Sequence, residues 1–205
     1  MQSAGDDLIS VAVADTEAAQ ALATALRDTH DWLEAVAGID TVVVRFDNAS
    51  ISRLDAEDRL RASIEGAVPS VDAKQKRITI PIVYGGEFGP DFEAVCEKLS
   101  LTRREFIDLH RGEYRVNMLG FTPGFAYIGG LDARLDIDRL PEPRQSIPAG
   151  SVGIAGGRTG LYALSGPGGW PIIGQTSCAL FDPNSDEPFT LSPGCTVLFE
   201  PVDAL

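Results

Sequence analysis

His110, Arg144 and the glycine-rich turns around them are the residues through which this sequence could do chemistry. His110 is one of only two histidines. Its imidazole changes charge near neutral pH, so it is a candidate for proton transfer. A second reading stays open, because an imidazolium at a helix C-terminus simply complements the helix dipole. Arg144 carries a planar fork of donors that matches a carboxylate or phosphate, or it is an ordinary surface charge. Glu113, three residues after His110, is an alternative proton carrier. His30 precedes Asp31-Trp32 and reads as a turn residue.

The glycines concentrate here: 14 of the 21 lie between Gly112 and Gly174. In Gly120-Phe-Thr-Pro-Gly-Phe125, Pro123 and Gly124 form a turn flanked by Phe121, Phe125 and Tyr127. Pro167-Gly168-Gly169 makes a similar turn before Trp170. Each turn forces the chain round just before an aromatic residue. Phe121, Phe125, Tyr127 and Trp170 are therefore expected to line one cavity beside Gly156 and Gly157, although clustered aromatics also pack cores. The backbone N–H groups of residues 150–157 form either an anion nest with oxyanion-hole character or a plain glycine-rich turn. No Gly-x-Gly-x-x-Gly opens a helix, and Gly-Lys-Ser/Thr, Gly-x-Ser-x-Gly and His-Glu-x-x-His are all missing from the sequence.

These residues need a frame, and the chain supplies two. The order reads strand 8–14, helix from Asp15 or Thr16 to Asp28, strands 32–37 and 41–47, helix 53–66, and strand 77–84. The first helix presents Ala18, Ala21, Leu22, Ala25 and Leu26 on one face, and the second presents Leu54, Leu60 and Ile64. Pro69 ends the second helix, and the join over 68–85 reads as continuous strand. This β-α-β-β-α-β order predicts a ferredoxin-like α+β unit over residues 1–75. After the Gly85–Asp91 loop come helices 92–99 and 102–110, the latter opened by a Thr102/Glu105 capping box. From Tyr114 onward short strands at 114–119, 151–155, 160–164, 171–180 and 195–200 predict a β-barrel or a sandwich over residues 76–205.

The net charge of −13 opposes binding to nucleic acid or an anionic membrane surface. No apolar run approaches the roughly 20 residues that span a bilayer. The N-terminus has no basic, apolar leader pattern, and Cys96, Cys178 and Cys195 lack metal-like spacing. They read as reduced thiols of a cytoplasmic protein.

The motifs are similar to those of the allophanate hydrolase subunit 1 family. The resemblance rests on Gly85–Asp91, on His110 with Tyr114-Arg-Val, on Leu119–Tyr127 and on Ile147–Gly157. Thr159–Tyr162, Pro167–Trp170 with Ile173-Gly174, Phe181–Pro183 and Pro193-Gly194 extend it. It implies a cyclophilin-like β-barrel after the α+β unit. It also implies a component of an ATP-dependent 5-oxoprolinase, which opens 5-oxoproline to glutamate. Partners would be a second barrel subunit, C-like, and a separate hydrolase-like subunit. ATP would be used through that complex, and no metal is evident in this chain. Substrate contacts would fall on Phe121, Pro123, Gly124, Phe125, Tyr127, Gly156, Gly157, Gly168, Gly169, Trp170 and Gln175, with His110 and Arg144 acting on a small carboxylate. Gln175 stands where many relatives carry Arg, Ala163 where Pro is common, and Gly166 where Ser is common. Two further roles are consistent with the resemblance: a regulatory inhibitor that binds a histidine kinase, and a component of a urea carboxylase or allophanate hydrolase. A prolyl isomerase would rest on fold analogy alone.

Overall fold

A computed structural model describes residues 1–3, 5–66 and 76–204. Contacts divide the chain into two compact units, Met1–Lys74 and Gln75–Leu205. Residues 68–75 of the expected continuous join, with Pro69, lie outside the described residues.

The N-terminal unit contains β1 (Gln2–Ser3), β2 (Leu8–Ala12), α1 (Thr16–Asp28), β3 (Glu34–Ala37), β4 (Thr41–Arg45) and α2 (Arg53–Gly66). Asp15 caps α1 by accepting a hydrogen bond from the Ala18 N–H at 2.8 Å, satisfying an amide the first turn leaves without a helical partner. The four strands pair antiparallel in the order β1-β2-β4-β3. The buried face of α1 is Ala19, Leu22, Ala23 and Leu26, a stripe shifted from the expected one. Ala18, Ala21 and Ala25 are only half-buried, because short alanines mark a face less sharply than the two leucines do. Leu54 is 74% exposed, and Ala56 and Leu60 carry the burial of α2 instead. One correction concerns topology. The strand expected to complete this sheet, Arg77–Tyr84, pairs elsewhere.

That strand is β5 (Arg77–Tyr84). It is followed by α3 (Phe92–Leu99), α4 (Arg103–His110), β6 (Gly112–Leu119), β7 (Ala126–Gly129), β8 (Arg144–Ile147), β9 (Ser151–Ala155), β10 (Arg158–Leu161), β11 (Gly166–Gly168), β12 (Ile172–Gln175) and β13 (Thr196–Pro201). Seven of these strands close a barrel in the order β10-β7-β6-β13-β5-β12-β9, and β8 pairs with β11 in a separate ribbon. The β5–β13 pair is parallel and the other barrel pairs are antiparallel. Closure leaves no free sheet edge in the ring. Ile80, Ile82, Val116, Ile128, Val152, Ile154, Ile173, Val197 and Phe199 fill its core. The capping box of α4 forms as its sequence predicts: Thr102 and Glu105 satisfy each other's backbone N–H.

Besides β1, three strands after β6 escape the sequence reading. β7 is four residues between two turns, β8 is mostly polar, and β11 is Gly-Pro-Gly. Each is formed by its partner's register rather than by its own propensity. The segment expected at 160–164 shifts towards the N-terminus as β10, and that expected at 171–180 contracts to β12.

Candidate functional site

The Gly120–Phe125 turn and the β10–β12 region build one aromatic layer. Phe121 has φ +68° and Gly124 φ +76°, and the Phe125 N–H donates to the Thr122 carbonyl at 3.1 Å. The turn drives Phe125 inward, where it is 2% exposed. Its ring centroid lies 4.8 Å from Tyr127, 4.8 Å from Tyr162 and 6.0 Å from Trp170, each edge to face. Tyr127 and Trp170 are 5.9 Å apart. These are the geometries that the ring quadrupoles favour. Phe121 sits at 5.6 Å from Phe125 and remains 62% exposed, and Pro123 is exposed beside it. The structure thus brings Phe121, Phe125, Tyr127 and Trp170 together as expected. Phe125, Tyr162 and Trp170 are buried in this layer, whereas Phe121 is exposed and Tyr127 half-buried.

Arg144 lies beside this layer. It is at the start of β8 and pairs across the ribbon with Gly168. Its Nη2 donates to Asp91 Oδ1 at 2.6 Å, and Asp91 Oδ2 accepts the Ile172 N–H at 2.6 Å. Arg144 Nη1 is buried and has no hydrogen-bond partner among the described residues. Burial pushes the Tyr162 phenol above its usual range, against smaller opposing effects from the Trp170 N–H and the charges of Arg139 and Arg144. The Arg139 guanidinium lies 6.0 Å from the Trp170 ring centroid. Gly168 leaves room for the Tyr162 hydroxyl and Ile147, and the Gly169 carbonyl accepts the Leu140 N–H at 2.7 Å. Two guanidinium groups and a phenol at the edge of an aromatic layer suit a small anion with an apolar body.

Sequence reasoning missed Asp91, Arg139 and Tyr162 in this site. Asp91 and Tyr162 stand at the ends of recognised motifs, so a signal existed. For Arg139 the sequence offered none.

His110 does not join Arg144. It is fully buried, with Nδ1 2.7 Å from the Tyr84 hydroxyl and Nε2 2.7 Å from Thr159 Oγ1. Phe106 and Phe199 stack on its faces. Burial pushes its pKa down from 6.5 to about 3, so the ring is neutral. Both nitrogens are engaged and both faces are covered, which is the arrangement of a satisfied core histidine. Glu113 pairs with Arg77 and lines a shallow groove with Tyr114, Arg115, Asn117 and Thr196.

The glycine-rich 150–157 stretch is corrected as an anion nest. Gly156 and Gly157 have φ +56° and +65° and join β9 to β10 across the Ala155/Arg158 pair. Positive φ at both positions marks a two-residue hairpin turn. The Gly150, Ser151, Ile154 and Gly156 N–H groups are bonded to the carbonyls of Tyr162, Pro148, Pro171 and Ile137. Gln175 is likewise occupied: its Nε2 donates to the Ala149 carbonyl at 2.8 Å.

A family model described as "Carboxyltransferase domain, subdomain C and D" matches residues 1–191. This chain belongs to that family. Among its relatives, the B subunit of the Escherichia coli 5-oxoprolinase is 44% identical over 181 residues, 88% of this chain and 83% of that protein. The B subunit of the Bacillus subtilis 5-oxoprolinase is 48% identical over 71% of this chain, which spans 59% of that relative. These matches agree with the allophanate hydrolase subunit 1 motifs. An uncharacterized protein from Pyrococcus horikoshii is 38% identical, with TM-score 0.60, covering 98% of this chain and 96% of that one. The crystal structure of TTHA0988 matches 97% of this carboxyltransferase-family chain at 31% identity and TM-score 0.83, over 40% of its own length. The urea carboxylase of Kluyveromyces lactis, at 20% identity and TM-score 0.76, shares the fold.

Proposed function

We propose that this chain is the B-type subunit of an ATP-dependent 5-oxoprolinase, which opens 5-oxoproline to glutamate and turns over only with its partners. The observation that carries this reading is the 44% identity to a 5-oxoprolinase B subunit over 88% of the chain. The site is consistent with it: 5-oxoproline is a small ring bearing one carboxylate, and the aromatic layer with Arg144 offers an apolar face beside a guanidinium. The partners are a second barrel subunit, C-like, and a hydrolase-like A-type subunit, working in the cytoplasm. ATP is used through the complex. The chain's own glycine-rich turn is a hairpin and not a phosphate loop. Arg144 holds the substrate carboxylate, while His110 keeps the barrel wall in place. In this reading the N-terminal sheet is a ferredoxin-like unit with β1 at the edge beside β2, and the barrel is cyclophilin-like.

The test is reconstitution with the A-type and C-like partners, following 5-oxoproline-dependent ATP hydrolysis. Wild-type complex is expected to turn over 5-oxoproline, whereas the separated components are not. Arg144→Ala should lower kcat/KM by roughly a hundredfold, the scale of one lost charge-assisted contact. Wild-type turnover by Arg144→Ala in an intact complex would remove Arg144 from the site. No turnover of 5-oxoproline by the assembled wild-type complex would overturn the assignment.

A further inference from the structure

Asp91 occupies the N-cap position of α3, where an aspartate ordinarily accepts a hydrogen bond from the first turn of its helix. Here it makes no such bond. Its carboxylate turns away from the helix instead. Oδ1 takes Arg144 Nη2 and Oδ2 takes the Ile172 N–H, both at 2.6 Å. The Asp91 N–H also donates to the Ile172 carbonyl at 3.0 Å, so residue 91 is tied to the start of β12 through backbone and side chain. The neighbouring loop is fixed as firmly. The Gly85 N–H donates to the Ile173 carbonyl at 3.0 Å, and Gly89 packs so closely on that carbonyl that no Cβ fits. Asp91 therefore has a rigid base, and its side chain is only 15% exposed.

The guanidinium it holds is used unevenly. Nη2 is on Asp91, whereas Nη1 is buried and bonded to nothing among the described residues. A buried donor without a partner loses its hydration and gains nothing in return, so such a group calls for an explanation, and a bound water, an ion or a ligand atom would each supply one. A carboxylate that held both Nη atoms side by side would need the fork free, and Asp91 has closed half of it.

We infer that Asp91 is a positioning residue, which anchors Arg144 through Nη2 so that Nη1 alone is presented to one oxygen of the substrate carboxylate. This rests on the reading of Arg144 as the carboxylate-binding group. Giving up the helix cap is consistent with that role: the acid serves the guanidinium and β12 rather than its own helix.

The experiment uses the reconstituted complex and measures KM for 5-oxoproline and for ATP separately. Asp91→Asn keeps an acceptor for the Ile172 N–H but removes the charge from Arg144. It should raise KM for 5-oxoproline tenfold or more, as expected for a hydrogen bond between charged groups, and leave KM for ATP and complex assembly unchanged. The double variant Asp91→Asn/Arg144→Ala should be no worse than Arg144→Ala, since the two residues act as one unit. Arg144→Lys supplies a second arm that leaves Asp91 intact. A lysine retains the ion pair with Asp91 but has no second nitrogen, so its KM for 5-oxoproline should rise nearly as far as that of Arg144→Ala. If Arg144→Ala raises KM and Asp91→Asn does not, Asp91 is only a clamp on β12 and the inference fails. Wild-type KM in Arg144→Lys would overturn the single-nitrogen contact. Wild-type KM in Arg144→Ala would remove the underlying reading of Arg144 as well, a separate outcome.

Discussion

The His110 imidazole lies flat on the Phe199 ring, with centroids 4.8 Å apart and planes within 4° of parallel. With both nitrogens bonded and the ring fully buried, a proton added to it would place a charge where water cannot reach. The folded-state pKa is about 3 against an ordinary 6.5. Below about pH 6.5 the unfolded chain binds a proton that the folded chain refuses. Stability is thus full above that pH and falls as pH drops towards 3, with a slope of at most about 1.4 kcal/mol per pH unit. His110→Gln should be less stable at pH 7.5 by about 2–4 kcal/mol, because it disturbs two buried hydrogen bonds. It should also lose up to one proton's worth of acid sensitivity. Urea denaturation of both proteins at pH 7.5 and pH 5 checks this. An unchanged pH slope in the variant would contradict it.

This histidine also shows how far the sequence could be read. The capping box of α4 and the turn at Pro123-Gly124 are local, and each forms where its residues predict. Burial of His110 depends on Phe199 and Thr159, which are remote in sequence and meet it only when the barrel closes. For the same reason the local pattern of β5 points to the wrong sheet. Its apolar residues specify a strand, but only pairing with β12 and β13 specifies which sheet. The aromatic layer is legible because rigid turns announce it. Arg139 is not, since an exposed arginine after Asp138 has no pattern until Trp170 lies beneath it.

Gly156 and Gly157 separate a hairpin turn from an anion site. A Cβ at either meets nothing within 4 Å among the described residues, but both carry positive φ. An alanine at one of them costs about 1–2 kcal/mol from backbone strain alone. Gly156→Ala and Gly157→Ala should each lower stability by about that amount and leave KM for 5-oxoproline in the complex unchanged. A tenfold rise in KM at unchanged assembly would restore the anion-nest reading.

Gln175 ties the end of β12 to the Ala149 carbonyl. That bond is at an exposed position, so Gln175→Ala should cost about 1 kcal/mol or less. Substrate affinity should not move, because the amide is already committed to the backbone. Chemical denaturation and KM measured side by side decide the point, and a large change in KM would return Gln175 to the substrate site.

Gly160 makes the sharpest packing prediction. It sits in β10 behind the aromatic layer, where an added Cβ would lie 2.7 Å from Phe125 Cζ and 2.9 Å from Trp170 Cζ3. Its backbone does not need glycine's conformational freedom, so the whole cost of Gly160→Ala is steric. Neither ring can yield easily: Phe125 is wedged against Tyr127 and Tyr162, and Trp170 against Tyr127. Overpacking of this kind costs about 1–3 kcal/mol. The displaced Trp170 should also change the near-ultraviolet circular dichroism. Trp32 is the other tryptophan, so a Trp32→Phe background isolates the signal. Gly166→Ala is the control, because a Cβ there meets nothing within 4 Å among the described residues. We expect Gly160→Ala to lose stability and alter the Trp170 signal while Gly166→Ala does neither. If Gly160→Ala keeps both the wild-type stability and the wild-type spectrum, the layer is loose, and a rigid aromatic platform beside Arg144 is wrong.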